Sequence, residues 1–373
     1  MRTAIIHDWL TGMRGGEKVL EVICGLMPDA DLYTLVHVPG SVSPAIEKHT
    51  ITTSFIQKLP MVAKRYRTYL PLFPAAIERF DLRGYDTVLS SSHCAAKGVV
   101  PPPDAFHLCY CHTPMRYVWD LYGNYFGPGK TGGLAKVLLP FFANYLRLWD
   151  AATCSRVDRF VANSAHVQKR ILKYYGRRSD VVHPPVDTRH TRLSENDDGY
   201  FLAVSAFAPY KRLDLAIEAF KNLGEKLLIV GSGPEEKRLK SIAGPNIEFL
   251  GWAEPVQLRA YYANCRALIF PGEEDFGIVP VEVQCWGKPV IAYGRGGALE
   301  SVKGHWVDGG RRPAKGCTGI FFRSQTVGAV EQAVRALSKV PFNPKAIRAH
   351  ALTFDVSVFE RKMKILFQNR ERL

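Results

Sequence analysis

The 373 residues contain no apolar run long enough to cross a membrane; a helical span needs about 18 or more. The nearest stretch, Val137–Leu146 (VLLPFFANYL), falls well short. The opening, MRTAIIHDWL, has too small an apolar core for a signal peptide. No C-x-x-C pair occurs among the eight cysteines, which are scattered from Cys24 to Cys317. That argues against a dithiol redox motif and against the paired-ligand zinc modules. Cys109-Tyr110-Cys111-His112 has no second ligand pair downstream, so no metal is expected. Scattered, reduced thiols fit a cytoplasmic protein. The first glycine-rich stretch does not read G-x-G-x-x-G, which weighs against a nicotinamide-dependent dehydrogenase. No internal repeat or low-complexity tract is present.

What is present is an ordinary globular composition with a basic balance. Apolar residues make up 47% and charged residues 23%, enough for a full core without staples. Lysine and arginine total 49 against 35 acidic residues, a formal charge of +14. Such a charge suits an anionic partner: nucleotide phosphates, an anionic lipid surface or nucleic acid. Charge alone does not choose among them, and a basic enzyme without a polyanionic partner fits as well.

Short apolar runs alternate with helical patterns, the signature of parallel α/β sheets. In the first half, strands are predicted at Thr3–His7, Asp31–Val36, Thr87–Ser90, His107–Cys111 and Arg159–Ala162. Helices are predicted at Glu17–Met27, Pro140–Cys154 and His166–Tyr175. The pattern restarts at Tyr200–Val204 with strands at Lys226–Val230, Ile247–Leu250, Ala267–Phe270 and Pro289–Ala292. Helices are predicted between them at Leu213–Leu223, Pro234–Ile242, Val256–Asn264 and Ile278–Trp286, and at the end at Thr326–Leu337, Pro344–Ala351 and Val356–Asn369. Length and this restart predict two domains, 1–185 and 200–352. The polar, proline-containing stretch 186–199 is expected to link them, and 353–373 to form a closing segment.

The segment Pro271–Glu282, PGEEDFGIVPVE, follows a predicted strand and opens a helix. Ligands of open parallel sheets bind outside the carboxyl ends of the strands. Glu274 is expected in the loop and Glu282 about one turn into the helix. The backbone amides around Gly277, Ile278 and Val279 are candidate diphosphate donors. A solvated acidic loop is the plainer alternative.

The Glu274/Glu282 pair, an E-x₇-E pattern enclosing Phe276-Gly277, resembles that of the retaining nucleotide-sugar glycosyltransferases of family four, similar to bacterial mannosyltransferases of surface polysaccharide assembly. Three further segments fit in order. Gly12–Glu17 (GMRGGE), with Gly15 and Gly16, resembles the family's glycine-rich first loop. Cys111-His112-Thr113-Pro114 resembles its histidine site, and Ser205–Asp214 (SAFAPYKRLD) its phosphate clamp. Gly294–Glu300 (GRGGALE) resembles a late donor-side loop. One departure is visible: Ala206 stands where the family commonly has an arginine.

The resemblance implies two facing Rossmann-like domains with a C-terminal helix crossing back to the first. The first domain would bind the acceptor and the second the nucleotide sugar, with reaction in the cleft between them. It implies His112 and Glu274 at the donor sugar and Glu282 at the ribose. Lys211 would bind the diphosphate, with Arg212 beside it. It implies transfer with retention and without a metal or other cofactor. The likeness of HTPMRYVWD and PYKRLDLAIEAF to mannosyltransferases favours GDP-mannose as co-substrate. The acceptor would be a polysaccharide or lipid-linked oligosaccharide. Residues 55–80 interleave Lys58, Lys64, Arg65 and Arg67 with apolar residues, which suits either peripheral contact with the inner face of an anionic membrane or packing on the core. Other readings stand beside this one: a UDP-sugar-dependent transferase, a nucleotide-sugar epimerase or phosphorylase of the same fold, and a nucleic-acid-binding protein.

Overall fold

The computed structural model describes residues 2–120, 122–123, 134–308 and 313–368. The chain divides into two compact units. One comprises 1–185 with 359–373, the other 186–358. Each is built on a seven-stranded, all-parallel sheet.

In the first unit the strands are β1 (Thr3–His7), β2 (Asp31–Thr34), β3 (Ile51–Thr53), β4 (Thr87–Ser92), β5 (Phe106–Cys111), β6 (Arg159–Ala162) and β7 (Ser179–Val181). Their order is β3-β2-β1-β4-β5-β6-β7. Consecutive side chains of a strand serve opposite faces. Ala4 and Ile6 enter a cluster with Trp9, Tyr66, Phe73, Ile77 and Leu146. Ile5 enters the other, with Leu20 and Ile23 of the helix Gly15–Leu26. That second cluster is completed by Phe359, Met363 and Leu366 of the last helix, Val356–Gln368. Asn369, the expected end of that helix, lies outside the described residues.

The second unit repeats the plan with β8 (Tyr200–Val204), β9 (Lys226–Val230), β10 (Ile247–Gly251), β11 (Ala267–Phe270), β12 (Val290–Tyr293), β13 (Gly304–Trp306) and β14 (Gly319–Phe322). Their order is β10-β9-β8-β11-β12-β14-β13. Phe201, Ala203, Ile229 and Ile269 pack on one face against Ile217 and Phe220 of the helix Leu213–Leu223. Leu202, Leu228, Leu268 and Phe270 pack on the other against Val281 and Trp286.

Sequence patterning misses β3, β7, β13 and β14. The first three are edge strands of three residues, too short to display a period. The helix predicted to start at Pro140 begins at Leu134 and carries that proline inside it. It ends at Ala152 in a 3₁₀ turn.

Two further segments pack onto their own units, the second of them as the core-packing alternative for residues 55–80 expects. Residues 186–199 form a strap fastened to the second unit. Val186 donates to the Phe354 carbonyl (2.9 Å), Ser194 to Trp286 (3.0 Å) and Asp198 to Asn264 (3.0 Å). Arg348 donates to the Thr191 carbonyl (3.0 Å). In residues 55–80 the apolar side chains turn inward: Ile56, Val62, Tyr66, Phe73 and Ile77 are buried in the first core. Lys58, Lys64, Arg65 and Arg67 stay exposed.

Candidate functional site

In each sheet the strand order reverses once, between β1 and β4 and between β8 and β11. The connections on either side of such a point run to opposite faces, leaving a crevice at the carboxyl ends. The residues singled out above gather there, in each unit separately.

In the first unit, His7 ends β1, Ser91 lies near the end of β4, and His112 follows β5. The Ser91 hydroxyl bridges the imidazoles, 3.1 Å from His7 Nδ1 and 2.8 Å from His112 Nε2. A single hydroxyl can donate to one nitrogen and must accept from the other, so the bridge fixes the two tautomers relative to each other. His93 completes a triangle of rings, with centroids 5.9 Å from His7 and 6.2 Å from His112. Burial, and then the neighbouring His93 and His7, hold the His112 imidazole well below its ordinary range. It is therefore neutral near pH 7. Its carbonyl accepts from Asn163 Nδ2 (2.9 Å).

Asp8, next to His7, is the anchor of this cluster. Its carboxylate accepts from the backbone amides of His93, Cys94, Ala95 and Ala96 at 2.5–3.0 Å. It also lies 2.9 Å from His93 Nδ1. Burial alone would raise this carboxyl. The adjacent His93 and the hydrogen bonds outweigh it, and the group is held well below the carboxylate range.

The first glycine loop closes on the same cluster. Gly15 opens the helix Gly15–Leu26 and is exposed. A Cβ on Gly16 would lie 3.8 Å from His7 Cε1 and 4.0 Å from His112 Cε1. Glu17 accepts from the Arg14 amide (3.0 Å) and sits 3.9 Å from His7 Nε2, so its buried carboxylate caps the helix and faces the imidazole.

In the second unit, Lys211 follows β8 and Glu274 follows β11. Their side chains form a half-buried ion pair. Gly272 makes the approach possible, since a Cβ there would come within 2.9 Å of Lys211 Cα. Arg212 has φ +52 at the start of the helix Leu213–Leu223 and pairs with Asp214 at 3.2 Å. That first-turn carboxylate compensates the cation at a helix N-terminus. Ala206 is exposed, and its loop lies backbone to backbone on Gly231–Gly233. A Cβ on Gly231 would meet Ser205 O at 1.9 Å, and one on Gly233 would meet Phe207 N at 2.7 Å.

The E-x₇-E segment divides its labour. The Glu274 carbonyl accepts from Gly297 N (2.8 Å), tying the loop to the Gly294–Glu300 turn. Phe276 is a core residue, edge-on to Phe354 at 5.3 Å, so only its backbone is available to the loop surface. Gly277 takes φ +89 ahead of the short helix Ile278–Gln284, and Ile278 and Val279 are half-buried. Glu282, half-buried, accepts from Tyr262 Oη (2.7 Å).

Sequence reasoning missed His7, Asp8, Ser91 and His93. The available signal was two polar residues, His7-Asp8, ending a buried strand. An Asp-x-Asp pattern does occur at Asp29-Ala30-Asp31, but Asp31 is engaged by Arg2 (3.1 Å) and Tyr85 (2.6 Å). All eight cysteines are buried free thiols. Among the described residues, no three His, Cys, Asp or Glu side chains converge as metal ligands. No described helix is long and apolar enough to cross a membrane.

Two family models cover nearly the whole sequence. "Glycosyltransferase Family 4" matches residues 13–190, and "Glycosyl transferases group 1" matches residues 187–349. The chain is 26% identical over 253 residues to the alpha-1,3/1,6-mannosyltransferase ALG2 of Saccharomyces cerevisiae, covering 52% of this chain and 48% of that one. It is 27% identical over 175 residues to the O-antigen chain mannosyltransferase C of Escherichia coli, covering 44% and 47%. It is 25% identical over 229 residues to the D-inositol 3-phosphate glycosyltransferase of Mycobacterium bovis, covering 53% and 45%. The chain thus spans about half the length of the curated relatives it matches. Its fold is that of HepE from Anabaena, solved in complex with UDP. The TM-score is 0.70 at 16% identity, over 99% of this chain and 100% of that one. With two glycosyltransferase models covering adjoining parts of the sequence, and the two-sheet architecture shared with HepE, the chain belongs to glycosyltransferase family four.

Proposed function

We propose that the protein transfers a hexose from a nucleotide-sugar donor to a glycan or lipid-linked glycan acceptor, with retention at the anomeric carbon and without a metal. The observation that carries this reading is the Lys211–Glu274 pair at the reversal point of the second sheet. An ammonium for a diphosphate and a carboxylate for sugar hydroxyls stand side by side there. The second unit is assigned the donor and the first the acceptor.

In this reading Lys211 and Arg212, with the backbone amides of Gly277, Ile278 and Val279, neutralise the diphosphate as it leaves. Preorganised charge of this kind is usually the largest catalytic contribution. The bond between the anomeric carbon and the phosphate oxygen breaks, and the diphosphate keeps the electron pair. The acceptor oxygen bonds the anomeric carbon from the same face, and its proton passes to the departing phosphate. Glu274 and the neutral His112 orient the sugar, and Glu282 holds the ribose. Gly15 and Gly16 leave room for the substrate at the first loop. Phe276 supports the donor loop from the core.

GDP-mannose is the favoured donor, on the similarity to the two mannosyltransferases. UDP-sugars form the second reading, favoured by the UDP complex of HepE. The test is thermal unfolding with GDP-mannose, UDP-glucose and their nucleoside diphosphates. A true donor at 100 times its dissociation constant stabilises by about 2.7 kcal/mol. Stabilisation by GDP-mannose, with release of GDP when acceptor is added, supports the reading. A shift only with UDP-sugars selects the second, and no shift with any donor rejects both.

A further inference from the structure

The helix Leu134–Ala152 carries apolar side chains on two sides. Ala143 and Leu146 are buried. Leu138, Phe141, Phe142, Tyr145 and Leu148 recur at steps of three and four and form a second, outward stripe. Phe141 is 72% exposed and Leu148 65%; the other three are above 40%. A surface helix ordinarily turns polar residues to this side. Between 138 and 148 the only charged residue is Arg147, whose Nε donates to the Val118 carbonyl (2.6 Å). A contiguous apolar patch of this kind marks a contact surface.

Its neighbour in the fold is the cationic excursion 55–80. Trp149 Nε1 donates to Glu78 Oε1 (2.9 Å), and Leu146 and Trp149 join Ile56, Val62 and Phe73 in one cluster. The excursion exposes Lys58, Lys64, Arg65, Arg67 and Arg79. Its only acid between 55 and 79, Glu78, is taken by Trp149 and by Arg156 (2.7 Å).

We propose that the stripe on Leu134–Ala152 seats in the interface of an anionic phospholipid bilayer, with the neighbouring cations on its headgroups. The proposal rests on the reading of the acceptor as lipid-linked. The apolar side chains reach the acyl boundary and the cations meet the negative surface potential, the two contributions that hold an interfacial helix. A second copy of the chain fits less well. It would bring the same cations together on two chains of charge +14 each.

The test is flotation of the full chain with vesicles of phosphatidylcholine, with and without phosphatidylglycerol. The wild type is expected to partition onto the anionic vesicles, and less so in high salt. The exposed double substitution Phe141→Asn with Leu148→Asn should weaken that partition at least about tenfold at unchanged unfolding temperature. Lys64→Gln with Arg65→Gln should weaken it on anionic vesicles only. Equal partition of the Phe141/Leu148 variant and the wild type overturns the proposal, and so does absence of wild-type binding. A wild type that self-associates without lipid, with a monomeric variant, overturns it in favour of a second copy. Donor-induced stabilisation is measured alongside. Its absence with vesicle binding intact rejects the transferase reading and leaves the surface standing. Its presence without vesicle binding rejects the surface alone.

Discussion

The ammonium of Lys211 and the carboxylate of Glu274 come together from two loops that leave neighbouring strands, β8 and β11. A diphosphate that engages Lys211 must share it with Glu274, which couples the phosphate and sugar ends of a donor. Lys211→Ala should therefore weaken nucleoside-diphosphate binding by about 10- to 100-fold, the worth of a charge-assisted hydrogen bond. Glu274→Gln should keep that binding and slow turnover by about 100- to 1,000-fold. Calorimetry with the diphosphate and initial rates with the full donor separate the two effects. Equal losses in both measurements for Glu274→Gln would contradict the assigned roles.

Two glycines offer a contrast in packing. A Cβ on Gly297 would stand 2.1 Å from Phe276 Cα and 2.4 Å from Asp275 O. Gly297→Ala should destabilise by about 1–3 kcal/mol through forced backbone movement. Gly328, in the helix Val327–Ala336, meets nothing within 4 Å. Gly328→Ala should stabilise by about 0.5 kcal/mol, since alanine loses less entropy in a helix. Urea unfolding of both variants gives the sign of each.

His107 provides a pH test. Its Nδ1 faces the Arg156 carbonyl (2.9 Å) and its Nε2 the Ser90 hydroxyl (2.8 Å), an arrangement that suits the neutral ring. Burial depresses its pKa from 6.5 to about 4. Between these values the unfolded chain binds the proton and the folded chain does not, so stability falls as pH drops through that window. The loss from this group is about 3 kcal/mol when complete. His107→Gln should flatten the stability profile between pH 6.5 and pH 4. An unchanged slope would show that another group carries the effect.

Lys97 and Asp150 form a buried ion pair at 2.9 Å, with Thr153 and the Asp150 carbonyl also accepting from the ammonium. Lys97→Met should cost about 3–5 kcal/mol, because it strands a buried carboxylate. Adding Asp150→Asn should recover part of that, since the Trp119 and Tyr175 donors can still bond a neutral amide oxygen. A double-mutant cycle in guanidinium measures the coupling.

The fold was legible where the chain is regular. Strands such as Ala267–Phe270, and Lys226–Val230 after its exposed first residue, are unbroken apolar runs because both sheet faces are covered. Edge strands of three residues carry no such run. Glu274 could be picked out because it follows a strand whose end is visible in the sequence, and Lys211 because its segment resembles the family's phosphate clamp. Their pairing was not visible, since it depends on the order of strands in the sheet. Asp8 and His93 lie far apart in sequence and meet only because β1 and β4 are neighbours. Phe276 shows what motif position leaves open: its ring lies in the core, edge-on to Phe354, which the neighbouring loop sequence does not reveal.

The last helix gives Phe359, Met363 and Leu366 to the hydrophobic cluster that also contains Ile5 and Leu20. During synthesis the amino-terminal sheet must wait, with that side incompletely covered, until residues beyond 359 have emerged from the ribosome. Maturation of the first unit is thereby made to depend on a stretch of polypeptide synthesised after the whole of the second. A chain halted shortly before Phe359 would leave an open apolar flank for chaperones or proteases to recognise.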